Sequence, residues 1–173
     1  MIRVALIIAS DTRSRGENKD ETIPVLKEYI KKQGWSFLGA SIVPDEKDAL
    51  KEKMIFYSDT EKADLILTSG GTGFAKRDVT PEATKEVIEK ETPGFPEAMR
   101  MKTYDITPLS ILSRATAGIR GNTLIINLPG NPKGATECLD VIKEAIPHGI
   151  EIIQGRLGTD GRTAEKLKQN RRS

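Results

Sequence analysis

Short apolar runs alternate with stretches of helical periodicity along most of the chain. Residues 3–9 form the first run, and Ile23, Leu26 and Ile30 then fall on one helical face before Gly34 closes that helix. A second strand is predicted over 36–43, ended by Pro44-Asp45, and Leu50, Met54 and Tyr57 follow at helical spacing. A third strand over 64–68 runs into glycines. The pattern next predicts a helix from Pro81 to about Glu91, a break at Thr92-Pro93-Gly94-Phe95-Pro96, a helical piece over 97–102 and an inserted segment over 108–112. Residues 115–119 and 123–127 flank Gly121-Asn122 as a hairpin-like pair. Asn131 and Pro132 then open a helix with Ala135, Cys138, Leu139, Ile142 and Ile146 inward. Strand and helix alternating in this way predict an α/β domain with a largely parallel sheet.

Composition narrows the class. A chain of 173 residues, 37% hydrophobic and 30% charged, suits one soluble domain with a substantial core. The first apolar run is far shorter than the ~20 residues that span a bilayer and lacks a signal-peptide layout, so no membrane partner and a cytoplasmic location are expected. A single cysteine allows no intrachain disulfide, and one histidine with one cysteine leaves little for a zinc site. Cys138 reads as a core thiol and His148 as a surface or satisfied helical residue. The formal charge is +2, and most of the basic excess lies in the tail, where Arg156, Arg162, Lys166, Lys168, Arg171 and Arg172 face Asp160 and Glu165. The expected division is therefore a domain over 1–155 and a basic, mobile tail over 156–173. A body without that excess argues against a nucleic-acid face.

The chemistry concentrates in the segment from Leu65 to Glu82. An apolar strand leads into Gly70-Gly71-Thr72-Gly73, then Lys76-Arg77-Asp78, then Thr80-Pro81 at a helix start. Glycines let backbone N–H groups approach a ligand closely, and a helix N-terminus adds partial positive charge, so the segment is built for an anion, with phosphate the expected guest. Thr80 is expected to cap the helix and Pro81 to occupy its first turn. Ala75 before Lys76 breaks the Walker A pattern, and Lys76 stands where a dinucleotide fingerprint needs glycine.

Other unusual residues fall at the predicted carboxyl ends of strands, where open α/β sheets bind ligands. Ser10-Asp11-Thr12-Arg13-Ser14 follows the first strand, Pro44-Asp45-Glu46 the second, and Pro129-Gly130-Asn131-Pro132-Lys133 the last. Carboxylates repel phosphates. Asp45 and Asp78 suit a phosphate site if a divalent cation lies between them or if a lysine or arginine compensates, and Mg²⁺ is the natural candidate.

These motifs, with Leu112-Ser113-Arg114, occur in the order found in molybdenum-cofactor biosynthesis enzymes, and the chain resembles their molybdopterin adenylyltransferases of the MogA type over residues 1–155. The resemblance implies a three-layer αβα fold, usually homotrimeric, that uses ATP and Mg²⁺ to adenylylate molybdopterin and releases pyrophosphate. It implies catalytic and Mg²⁺-positioning roles for Asp45 and Asp78. It further implies substrate or phosphate contacts from Ser10, Asp11, Gly70, Gly71, Thr72, Gly73, Arg77, Ser113, Gly130 and Asn131, and the molybdate insertase as a further partner. Arg77-Asp78-Val79-Thr80 and Gly130-Asn131-Pro132 favour this type over the related MoaB group. A nucleotide pyrophosphatase of the same fold, a molybdate insertase domain and a non-catalytic pterin-binding module stand as alternatives. Arg77 counts against the first, the length of the chain against the second, and the two aspartates against the third.

Overall fold

A computed structural model describes residues 1–156. Its strands are β1 (Arg3–Ala9), β2 (Ser36–Val43), β3 (Leu65–Ser69), β4 (Lys90–Glu91), β5 (Ala117–Arg120) and β6 (Thr123–Leu128), joined in one sheet of order β2-β1-β3-β6-β5-β4. The first four in that order are parallel, while β5 runs antiparallel to β6 and β4 antiparallel to β5. The helices are α1 (Asp11–Ser14), α2 (Thr22–Lys32), α3 (Lys47–Ile55), α4 (Thr80–Val87), α5 (Gly94–Thr103), α6 (Pro132–Ile142) and α7 (Ala145–Ile153). A π-turn over Phe56–Thr60 extends α3, and a 3₁₀ turn over Pro108–Leu112 follows α5. Among the described residues no helix is long and apolar enough to cross a membrane.

Burial explains why the central strands read as unbroken apolar runs. β3 and β6 are buried at every position and β1 at all but Arg3, because helices cover both faces of the sheet. Alternate residues supply separate cores. Val4, Leu6, Leu65, Leu67, Leu124 and Ile126 pack with Leu26, Ile30, Leu139 and Ile146 of α2, α6 and α7. Ala5, Ile7, Ile66 and Ile125 pack on the other face with Leu50, Met54, Ala83 and Val87 of α3 and α4. The three-layer αβα fold expected from the resemblance is therefore present.

Several boundaries differ from the sequence pattern. α4 ends at Val87, short of Glu91, because Lys90 and Glu91 turn into β4 and pair with Ile119 and Gly118. Gly118 permits this close approach, since a Cβ there would collide with Ile88 Cδ1 and lie 2.6 Å from the Lys90 carbonyl oxygen. The expected break at 92–96 overlaps α5, which begins at Gly94; Pro96 is tolerated because a helix's first turn needs no N–H partners. The last predicted helix is two, with Ile146 in α7. Cys138 is buried, and desolvation pushes its thiol up to about 11, in keeping with a core role. His148 is half-buried on α7. The basic tail expected over 156–173 lies, beyond Arg156, outside the described residues.

Topology positions the site. From β1 the chain moves to β2 on one side, whereas β3 lies on the other, so the connections diverge at the carboxyl ends of β1 and β3. Such a switch point leaves a crevice for ligand.

Candidate functional site

Three strand ends are fastened together at this crevice. The Gly70 N–H donates to the Leu128 carbonyl at 3.2 Å, and Ser69 Oγ donates to the Pro129 carbonyl at 2.8 Å. Gly70 (φ +100°) has no room for a side chain, because a Cβ would collide with the Ala9 carbonyl oxygen. A Cβ on Gly130 would stand 3.2 Å from Gly70 Cα, so Gly130 serves close backbone packing.

Past Gly70 the loop leaves donors unspent. The N–H groups of Gly71, Thr72, Gly73 and Phe74 find no protein acceptor among the described residues, the condition for an anion cradle. Phe74 itself is exposed at the loop tip. Thr80 departs from its expected capping role: it is already helical, and its hydroxyl donates to the Gly70 carbonyl at 2.9 Å while its N–H donates to the Gly71 carbonyl at 3.1 Å. The start of α4 is thereby tied directly to the cradle.

Carboxylates gather beside it. The Asp11 N–H donates to Asp45 Oδ2 and the Asp45 N–H to Asp11 Oδ1, both at 3.0 Å, which locks the end of β1 to the end of β2. Arg77 reaches back from the loop and donates to both Asp11 oxygens, Nε at 3.0 Å and Nη2 at 2.7 Å. That guanidinium, helped by the Asp45 N–H, holds the Asp11 carboxyl below its usual range. Asp45 moves the other way: burial raises it first, and the neighbouring charges of Asp11 and Asp78 add to the rise, against the Asp11 N–H and Arg77. Asp45 Oδ1 lies 3.2 Å from where a Cβ on Gly71 would sit, so glycine there keeps the carboxylate against the cradle. Asp78 Oδ2 accepts the Ala75 N–H at 3.0 Å and crowds Gly73, where a Cβ would sit 2.8 Å away.

The loop also borders a cavity of about 360 Å³. Thr72 and Gly73 contribute to its wall along with Met99, Leu112, Ala115 and Cys138, and Ser113, Asn131 and Glu137 add polar groups. Ser113 Oγ accepts the Ala115 N–H at 3.3 Å, and Asn131 Oδ1 caps α6 by accepting the Gly134 N–H at 2.6 Å, which leaves the Asn131 Nδ2 group to donate.

The candidate residues thus divide. Asp11, Asp45, Arg77 and Asp78 cluster with Gly70, Gly71, Thr72 and Gly73 on the polar part, whereas Ser113 and Asn131 line the cavity. Ser10 accepts the Arg13 N–H and caps α1, and Gly130 packs against Gly70. Arg77 pairs with Asp11 and makes no ion pair with Asp78.

Arg114 stands in a motif quoted from the sequence, Leu112-Ser113-Arg114, but no role was expected of it. Its N–H donates to the Thr72 carbonyl at 2.8 Å, Nε to the Gly73 carbonyl at 2.7 Å and Nη2 to the Asp78 carbonyl at 2.7 Å, while Nη1 pairs with Glu82. One guanidinium therefore holds both ends of the loop. A signal existed: Arg114 is the lone charge between Asp105 and Arg120.

An amide cradle and an apolar cavity sharing one loop at a switch point define a ligand-handling α/β domain. Within that class the chain belongs to the molybdenum-cofactor biosynthesis family, whose model, described as a probable molybdopterin binding domain, matches residues 5–148. The chain is 43% identical over 156 residues to a molybdopterin adenylyltransferase of Helicobacter pylori strain J99, covering 89% of each chain. It is 39% identical over 168 residues to that of Escherichia coli K12, covering 89% of this chain and 86% of the relative. Its structure resembles that of the molybdopterin biosynthesis enzyme MoaB from Thermus thermophilus, with a TM-score of 0.85 and 43% identity over 90% of this chain and 98% of that one.

Proposed function

We propose that this protein is a molybdopterin adenylyltransferase: it transfers AMP from ATP to the terminal phosphate of molybdopterin and releases pyrophosphate. A phosphate oxygen of molybdopterin attacks the α-phosphorus of ATP, the bond from that phosphorus to the bridging oxygen breaks, and the electron pair leaves with pyrophosphate. The observation that carries the reading is the shared loop, which offers four free amides to phosphate and borders both a carboxylate cluster and an apolar cavity. The names of the Helicobacter and Escherichia relatives support it.

The work left to the chain is positioning and charge control. The amides of residues 71–74 hold phosphate oxygens, Arg77 offers a guanidinium already at the cradle's edge, and the cavity takes the ring system of the pterin with Ser113 and Asn131 at its wall. No protein nucleophile is needed, which suits a buried Cys138.

The carboxylates fit Mg²⁺. Among the described residues no three acid, histidine or cysteine side chains form a metal cage, and Mg²⁺ commonly takes one or two carboxylates with substrate phosphate oxygens. Asp45, whose carboxyl is raised by burial and by two neighbouring acids, has the uncompensated charge a cation relieves, and Asp78 adds a second oxygen donor. When bound there, Mg²⁺ supplies charge neutralisation to the phosphates.

Protein supplied with molybdopterin, ATP and Mg²⁺ is expected to yield adenylylated molybdopterin and equimolar pyrophosphate. Pterin binding without AMP transfer would instead support a non-catalytic module, and pterin-independent pyrophosphate release a hydrolase. The reading further includes a homotrimer and delivery of the product to a molybdate insertase.

A further inference from the structure

We propose that Glu137 is the specificity residue of the cavity, reading the paired N–H donors on the pyrimidine edge of the pterin and rejecting adenine. The inference rests on the adenylyltransferase reading for the identity of the two substrates. Glu137 lies on α6 in a wall otherwise formed largely by Met99, Leu112, Ala115, Pro129 and Cys138. Its side chain is only 24% exposed, yet among the described residues no donor hydrogen-bonds its carboxylate. Its ion pair with Lys133 is 3.9 Å long, and the lysine is 85% exposed, so the pair does not account for the burial of the acid. Arg100, the cation in the same wall, spends Nη1 on the carbonyls of Ser113 and Ala115.

A carboxylate sheltered from water without a donor is costly, and a ligand that brings donors removes the cost. A carboxylate presents two acceptors side by side. The 2-amino-4-oxo edge of a pterin presents two adjacent donors, N2–H and N3–H, and matches it with two parallel charge-assisted bonds. Adenine sets a ring-nitrogen lone pair beside its amino group, so one carboxylate oxygen would face a lone pair. A site built on paired hydrogen bonds rejects such an analogue strongly, because its polar groups are left unpaired. Glu137 thus assigns the cavity to the pterin and places the ATP base elsewhere.

The substitution Glu137→Gln keeps the shape and replaces one acceptor with a donor. Titration of molybdopterin fluorescence in the absence of ATP is expected to show affinity about tenfold or more weaker than wild type. The KM for ATP stays within about twofold, and the melting temperature does not fall, because the carboxylate has no close partner to lose. Unchanged pterin affinity, a rise in the KM for ATP in its place, or a fall in melting temperature with pterin affinity intact would each overturn the proposal. Wild-type protein that binds molybdopterin with this dependence on Glu137 but transfers no AMP would defeat the catalytic reading alone. Wild-type protein that binds no molybdopterin would defeat both.

Discussion

Asp11 and Asp45 exchange backbone N–H bonds as near equals, yet their carboxyls move in opposite directions, because burial raises Asp45 while the grip of Arg77 lowers Asp11. Burial and the neighbouring acids make the charged form of Asp45 costly to the fold. With its folded value raised, the folded state holds the Asp45 proton more tightly than the unfolded chain, so the contribution of this residue is greatest below the usual aspartate value near ~3.9 and is lost as pH rises through the elevated one. Asp45→Asn is therefore expected to raise the melting temperature at pH 7 while abolishing AMP transfer, and the stability gain should shrink as pH falls through that window. Calorimetry across pH tests it; equal stability of the two proteins at pH 7 would assign Asp45 no such strain. Asp45 and Asp78 were legible as candidates because acids beside an expected phosphate site need a reason. The partner of Arg77 was not, since a bond to a residue 66 positions away leaves no trace in local spacing.

The loop between β3 and α4 is an element in its own right, held at both ends by Arg114. Arg114→Ala is expected to lower kcat/KM for AMP transfer about 100-fold by letting the cradle drift. Arg114→Lys recovers little, because a point-charge ammonium does not reproduce a rigid fork. Near-wild-type kinetics in either variant would show that the loop keeps its shape unaided. At this scale the strands buried on both faces were readable, because continuous apolar runs admit little else. β4 was not: it is two exposed charged residues whose pairing depends on space left by Gly118. Thr80 shows a subtler limit. Its type fits a cap, but the carbonyl of Gly70, brought close by the turn, takes its hydroxyl. Asn131 met no such competitor and caps α6 as its type suggests.

At the scale of the whole molecule, a group of apolar side chains among the described residues is left short of cover. Met101, Ile106, Leu109 and Ile111, on α5 and the turn after it, are all more than half exposed beside the cavity. Large exposed apolar groups close together mark association surfaces. In the proposed homotrimer this surface is the natural one to be covered, and sedimentation equilibrium is expected to give three times the chain mass. Replacing Leu109 and Ile111 together by Asp should yield monomers; a monomeric wild type would remove the trimer from the reading. Strand and helix patterns in alternation predicted the α/β class, and the resemblance the three layers, but neither tells where a second copy sits, because an interface face and a solvent-facing stray look alike along a chain.

The glycine loop borders two neighbourhoods built from different parts of the chain. The carboxylates come from the segments that follow β1 and β2 and from the loop itself, and the cavity largely from α5, α6 and the turn between α5 and β5. Under the proposed function, substitutions at Met99, Leu112 or Glu137 can therefore alter which heterocycle is admitted without moving the residues proposed to handle phosphate. Lineages starting from this scaffold could inherit the transfer chemistry unchanged and diverge by remodelling one wall.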